Sequence, residues 1–205
     1  MKKIRARFVV TTLAGIAALT AGTAYLLGVS PFERTGTIEA SEACKNLGSS
    51  EKVIPAIKEL APPKHKYSFA EQNNRGSVTH FSGCFVRADE IDFLVTRTED
   101  TPTGSMTFET WAEGPASRMV TTEDPKNFDR FGTDTWGVVS RNKAALAVPC
   151  LPRGKQSLTT VVLLRDSAEP NRGKDRYRQE LIDLAKSAAA FAHEDANCTL
   201  PLKID

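Results

Sequence analysis

The sequence predicts an α+β fold: an antiparallel β-sheet with two helices packed against it, preceded by one N-terminal transmembrane helix. Three observations support this prediction. Short runs of β-branched and aromatic residues alternate with turn residues through the middle of the chain, as is typical of strands. A long segment near the C-terminus repeats apolar residues at helical spacing. A stretch of 22 residues near the N-terminus, 8–29, contains no charge.

The N-terminal residues predict a membrane anchor. Residues 1–7 form a cytoplasmic tail with four basic side chains and no acidic one, and the apolar stretch 8–29 is long enough to cross a bilayer as a helix. Because basic flanks stay in the cytoplasm, the rest of the chain is expected outside the cell membrane. The alternative is a signal peptide cleaved after Gly22-Thr23-Ala24, which releases a secreted domain. Both interpretations export the domain.

The distribution of charge argues against nucleic acid as a partner. Four of the 27 basic residues precede Glu33, the first of the 25 acidic residues, so the chain from Glu33 onward carries a small acidic excess. A domain that neutralises nucleic-acid phosphates usually carries a basic excess. With 205 residues and 40% hydrophobic content, the chain is of ordinary size and composition for one globular domain with an accessory segment.

Residues 30–43 predict a polar tether, and residues 44–205 the extracytoplasmic α+β domain. A first helix is predicted from Ser50, as its cap, to Leu60, with Pro55 near the first turn, where a missing N–H costs little. The polar stretch 112–134 predicts a long loop between two halves of the domain. Strands are predicted at 67–71, 78–87, 91–98, 106–111, 136–140, 144–148 and 158–164.

The strongest periodic element is a helix predicted over 174–194. Its apolar stripe must be buried, and the sheet is the only large apolar partner available, so the helices are expected to pack on the sheet. The two halves then mirror each other loosely, with a helix before the strands in the first and after them in the second. The stripe consists of Tyr177, Leu181, Leu184, Ala188, Phe191 and Ala192.

Four cysteines in an exported domain predict two disulfides. Cys44 precedes the first helix and Cys84 lies in a strand of the same half, whereas Cys150 ends a strand and Cys198 follows the last helix. We therefore expect Cys44–Cys84 and Cys150–Cys198, each stabilising the fold by roughly 4 kcal/mol in the chain-entropy model. The alternative, a metal site, lacks any CxxC or CxxH spacing, and no metal or cofactor is predicted.

This layout resembles the small exported proteins of unknown function that are common in actinobacteria. The resemblance spans Lys2 to Cys198 and rests on four features beyond the basic start and the hydrophobic segment. They are Cys-Lys-Asn-Leu before the first helix, Ser82-Gly83-Cys84 in a strand, Ala147-Val148-Pro149-Cys150, and an alanine-rich helix ending in Asn197-Cys198. The resemblance implies a cell-envelope location and supplies no catalytic residue.

No catalytic motif stands out, so the sequence favours a binding or structural module of the cell envelope over an enzyme. The alternative is a small hydrolase acting on envelope polymers, with carboxylates or one of the three histidines (His65, His80 and His193) brought together by folding. No Gly-x-Ser-x-Gly elbow is present. Phe128, Phe131 and Trp136 either form an exposed aromatic platform for a sugar or peptide or are buried against the sheet, which is the commoner fate of such residues.

A basic cluster marks the start of the terminal helix. Arg172, Lys174, Arg176 and Arg178 lie there, although the free N–H groups of a helix start already make it positive. They are either solvated charges or an anion site, because such N–H groups and basic side chains suit a phosphate or carboxylate. The expected partners are the membrane, through 8–29, and either an envelope protein or an anionic envelope component, a lipid headgroup or wall polymer.

Overall fold

The computed structural model describes residues 36–75, 80–116, 128–133, 135–151, 156–165 and 176–204, within one compact unit, Gly36–Asp205. The tail 1–7 and the predicted transmembrane segment 8–29 lie outside the described residues. None of the helices within the described ranges is long and apolar enough to cross a membrane. The fold begins earlier than the predicted boundary at 44, since Ile38 is buried in the core and the Gly36 N–H donates to the Lys64 carbonyl at 2.8 Å.

The described chain forms three α-helices and seven strands, preceded by two 3₁₀ turns, Ala40–Glu42 and Lys45–Leu47. The helices are α1 (Ser50–Leu60), α2 (Phe108–Glu113) and α3 (Arg176–Asp195). The strands are β1 (Tyr67–Arg75), β2 (His80–Ala88), β3 (Ile91–Thr101), β4 (Asp129–Phe131), β5 (Trp136–Val139), β6 (Lys143–Pro149) and β7 (Ser157–Leu164). The predicted α+β class with an antiparallel sheet and packed helices is confirmed.

The seven strands form one antiparallel sheet in the order β1-β2-β3-β7-β6-β5-β4. It consists of two meanders, β1 to β3 and β4 to β7, that join where β3 pairs with β7. At this junction Thr98 lies opposite Thr160, and their hydroxyls are 2.8 Å apart in the core. The two halves, which the sequence predicted to mirror each other loosely, thus form a single continuous sheet.

Helices α1 and α3 cover one face of the sheet and form the main core. The stripe of α3 packs on β6 and β7 except at Phe191, which is half-buried on the outer side of the helix. Its fully buried alanines, such as Ala188 and Ala192, allow a close approach to the strands. In α1, the N-cap is Ser49 rather than Ser50, and its side chain makes no capping hydrogen bond. Pro55 lies inside α1, not near its first turn, and the helix persists because Ile57 and Leu60 are buried beyond it.

The other face of the sheet is covered in part by α2, where the sequence predicted a strand at 106–111. That prediction is wrong, because the Thr107 hydroxyl caps a helix by accepting the Thr110 N–H at 3.2 Å. The helix places Trp111 fully inside a second core, where its indole N–H donates to the Thr159 hydroxyl at 3.0 Å. The predicted loop 112–134 likewise begins within α2 and contains β4.

Both predicted disulfides are present. Cys44–Cys84 ties the chain before α1 to β2, across a sequence separation of 40 residues. Cys150–Cys198 ties the end of β6 to the chain after α3, across 48 residues. Each half of the domain therefore has one covalent link between its helix layer and the sheet. Disulfides persist in oxidising compartments, so the pair indicates an exported protein.

Candidate functional site

The predicted anion site at the start of α3 lies largely outside the described residues. Arg172 and Lys174 fall there, and only the backbone of Arg176 is described. The Arg178 guanidinium donates to the Asp129 carboxylate of β4, so its charge is already compensated within the fold. Of the four basic side chains the structure describes only that of Arg178, and the anion site remains a prediction.

The histidines occupy separate environments. His65 is exposed in the turn before β1, and His193 is buried beneath the last turn of α3, at 8% exposure. The His80 side chain, at the start of β2, is buried with its Nδ1 4.0 Å from the Asp195 carboxylate. This pair borders neither of the two concave surfaces described below. The part of the chain that the structure describes contains no group of three metal-ligating side chains.

The three aromatic residues at the end of the predicted loop do not share a platform. Phe131 packs partly buried against the main core, whereas Phe128 and Trp136 pack against the second core on the opposite face. Trp136 also lines a pocket of about 290 Å³, with Met106 and Pro149 beside it. The pocket is bordered by the Thr103 and Ser157 hydroxyls, which bond to each other at 2.8 Å. The structure thus favours the burial interpretation for these aromatics.

A groove of about 800 Å³ lies on the outside of the helix layer. Three stretches of chain form it: the turn leading into α1, the outer side of α3, and the segment after Cys198. We call it the α1–α3 groove. Its apolar floor consists of Ala190, Phe191, Leu202 and Ile204, and its polar rim of Lys45, Ser49, Lys52, Asp183, Lys186, Ser187 and Glu194.

The turn that forms one wall of the groove is held from three directions. Cys44 is bonded to Cys84, and the buried Asn46 amide donates to the Gly83 carbonyl at 2.7 Å. The Lys45 backbone N–H donates to the Glu71 carboxylate at 2.9 Å. These contacts fix the turn to β1 and β2, so the groove wall is anchored to the sheet and presents the Lys45 side chain from a rigid backbone.

Gly48 brings the same turn against α3. Its backbone has φ 95° and ψ −151°, a conformation reached almost only by glycine. A Cβ at this position would lie 2.4 Å from the Ser187 Oγ and 3.1 Å from the Ser187 carbonyl oxygen. The close approach of the turn and α3 therefore depends on the missing side chain, and it sets the width of the groove at this end.

The charges of the groove are unevenly placed. Lys45 and Lys52 are both exposed and lie on the α1 side, while Asp183 and Glu194 lie along α3. Asp183 accepts a hydrogen bond from the Gln179 amide at 2.8 Å, which occupies one of its oxygens. With Lys186 also on the rim, the lining carries one more basic than acidic side chain. The α1 side is thus the positive side of the groove.

Sequence reasoning missed this groove entirely. Its lysines lie on two elements far apart in the sequence, and no local pattern links them. The visible signal was Gly48-Ser49-Ser50 at the start of α1, which marks a helix start but gives no indication that α3 lies beside it. Comparison with protein-family models, curated proteins and solved structures finds no match to this chain. The geometry of the groove is therefore the basis for proposing a function.

Proposed function

We propose that the chain is an extracytoplasmic binding module of the cell envelope, held at the membrane by the segment 8–29, with the α1–α3 groove as its binding site. The groove itself is the observation that supports this function. Its volume of about 800 Å³ falls within the range of ligand pockets, and its construction is also typical, with an apolar floor and a small number of charged groups.

The wall and floor of the groove are held rigidly by the rest of the fold, which suits a binding site. One wall is fastened to the sheet by the Cys44–Cys84 disulfide, and the floor belongs to α3, which is packed on β6 and β7. Rigid elements hold a binding surface in one geometry, so that little conformational freedom is lost when a ligand is bound. The two disulfides also support the proposed export of the domain.

The test of the groove uses a variant that fills it. Full-length protein is purified from membranes in an uncharged detergent. The small molecules that co-purify are extracted, and mass spectrometry identifies and quantifies them. Ala190→Trp places an indole on the groove floor, and Gln72→Trp, on an exposed position of β1, is the matched control. We expect wild type and Gln72→Trp to retain the same ligand and Ala190→Trp to lose it.

Correct folding of each variant is verified by non-reducing peptide mapping of both disulfides. If all three proteins carry the same material, or if the wild type carries none, the groove is not the binding site and the proposed function is wrong.

The membrane attachment is tested separately. We expect the mature protein to keep its N-terminus and to fractionate with membranes, because 8–29 remains apolar past the small residues at 22–24. N-terminal sequencing of protein isolated from its own cells decides between the two interpretations. A mature protein that begins at Tyr25 contradicts the anchor and leaves an exported, unanchored domain.

A further inference from the structure

The groove combines an apolar surface with a positively charged one, and one class of ligand is complementary to both. Its floor is apolar, and Leu202 is 38% exposed there. Its α1 side carries Lys45 and Lys52, whose side chains form no ion pair with any other described residue. A ligand with an apolar part and an anionic part fits this combination.

The chemistry of the floor decides between anionic ligands. A phosphate-bearing wall polymer is hydrophilic and would leave Phe191 and Leu202 facing water. A peptide needs partners for its backbone N–H and C=O groups, which the side chains of Ala190, Phe191 and Ile204 do not offer and only the rim of the groove supplies. An acyl chain has no polar group to satisfy and gains by covering such a floor. The geometry therefore favours an amphiphile.

Such amphiphiles are present in the membrane to which we propose that the segment 8–29 anchors the chain. If 8–29 spans the bilayer, as proposed above, six residues, 30–35, separate it from the first described residue, Gly36. A fully extended stretch of that length spans at most about 20 Å. The proposed anchor therefore limits how far the domain can extend from the outer surface of the bilayer, where phospholipids are abundant.

We propose that the α1–α3 groove binds one anionic phospholipid of the membrane, with an acyl chain along the floor and the headgroup phosphate at Lys45 and Lys52. This proposal rests on the proposed function, because it names the ligand of the same groove. Asp183 and Glu194 of α3 border the site, and their negative charges orient the headgroup toward the α1 side.

The test is photolabelling of the full-length protein in phosphatidylcholine nanodiscs. The probe is phosphatidylglycerol with a photoreactive acyl chain, and phosphatidylcholine with the same chain is the comparison. Tryptic peptide 187–203 contains Ala190, Phe191 and Leu202, so labelling of the groove floor is read from one peptide after reduction. Labelling of residues 8–29 in the same sample serves as the internal reference.

We expect phosphatidylglycerol to label peptide 187–203 at least fivefold more than phosphatidylcholine does. Lys52→Gln is expected to lower this labelling about fivefold, since each lysine near an anionic headgroup contributes roughly that factor. The matched control, Lys58→Gln, is exposed on the same helix outside the groove and leaves the labelling unchanged. Ala190→Glu, which places a negative charge on the floor, abolishes it.

Three results overturn the proposal: no labelling of 187–203, equal labelling by both lipids, or loss of labelling when millimolar inorganic phosphate is added. The last result would show a simple anion site that needs no acyl chain. If labelling fails while Ala190→Trp still displaces co-purified material, the groove binds another ligand and only the lipid assignment is wrong. If both experiments fail, the groove is not a binding site.

Discussion

Replacing Gly48 with alanine tests whether the groove wall depends on close contact between the turn and α3. The substitution adds one methyl group and no charge. It does so where the backbone has φ 95° and ψ −151° and where Ser187 is in contact. The effect on stability is therefore a direct measure of the constraint at this end of the groove.

Two costs add in the Gly48→Ala variant. The backbone conformation disfavours any residue with a Cβ by about 1–3 kcal/mol. The Cβ also meets the Ser187 Oγ at 2.4 Å and the Ser187 carbonyl oxygen at 3.1 Å. The hydroxyl can rotate away, but the carbonyl belongs to α3 and moves only if the helix moves, which costs about 1 kcal/mol or more. We expect a total loss of about 3 kcal/mol.

The assay is urea unfolding of the oxidised unit, residues 36–205, followed by far-ultraviolet circular dichroism. In thermal unfolding, the same loss of about 3 kcal/mol corresponds to a fall of roughly 6–12 °C in Tm for a domain of this size. Ser49→Ala is the control, because the Ser49 side chain makes no capping hydrogen bond, and it changes the free energy of unfolding by less than about 0.5 kcal/mol. A loss below about 1 kcal/mol for Gly48→Ala would refute the reasoning, as would full recovery when Ser187→Ala is added.

Three further predictions concern the rest of the domain. Replacing both Cys150 and Cys198 with alanine lowers the free energy of unfolding by about 4 kcal/mol, since their bond spans 48 residues, and a loss below 1 kcal/mol in urea unfolding contradicts this. Trp111→Phe loses the indole N–H bond to Thr159 and leaves that hydroxyl without its donor, for a loss of about 1–2 kcal/mol in the same assay. The pKa of the Glu109 carboxyl lies below its ordinary value, chiefly because it accepts its own backbone N–H, so its stabilising effect is present at neutral pH and is lost as pH falls through that lowered pKa. Titration by NMR checks this, and an ordinary or raised value contradicts it.

Elements with a clear apolar period were predictable from sequence alone. The stripe of the last helix placed α3, and β-branched runs placed six of the seven predicted strands within a few residues of their observed bounds. These patterns predict the type of element because each element must bury one face. Burial of one face requires apolar residues to recur at the period of that element. The cysteine pairing was predictable for a related reason, since each pair lies within one half of the chain.

The segment at 106–111 shows where such reasoning fails. Its aromatic residues suit a strand, but Phe108, Trp111 and Ala112 also recur at helical spacing, and a short run fits both periods. The Thr107 cap and the fully buried site for Trp111 favour the helix. That site exists only because β5, β6 and β7 form a second apolar face there, with Val138, Ala145 and Val161 packed against the helix, which no local pattern reveals.

Residue patterns predicted the class of the domain, the positions of most elements and the two disulfides, because each depends on residues within one element or one half of the chain. The tertiary structure alone decided that β3 pairs with β7 and that Gly48 meets Ser187. Both are contacts between elements far apart in sequence, where many partners are chemically acceptable and packing of the whole core selects one. The groove is formed by contacts of that kind, because its lining comes from residues 45–52 and 183–204, two distant stretches of chain that only the completed fold brings together.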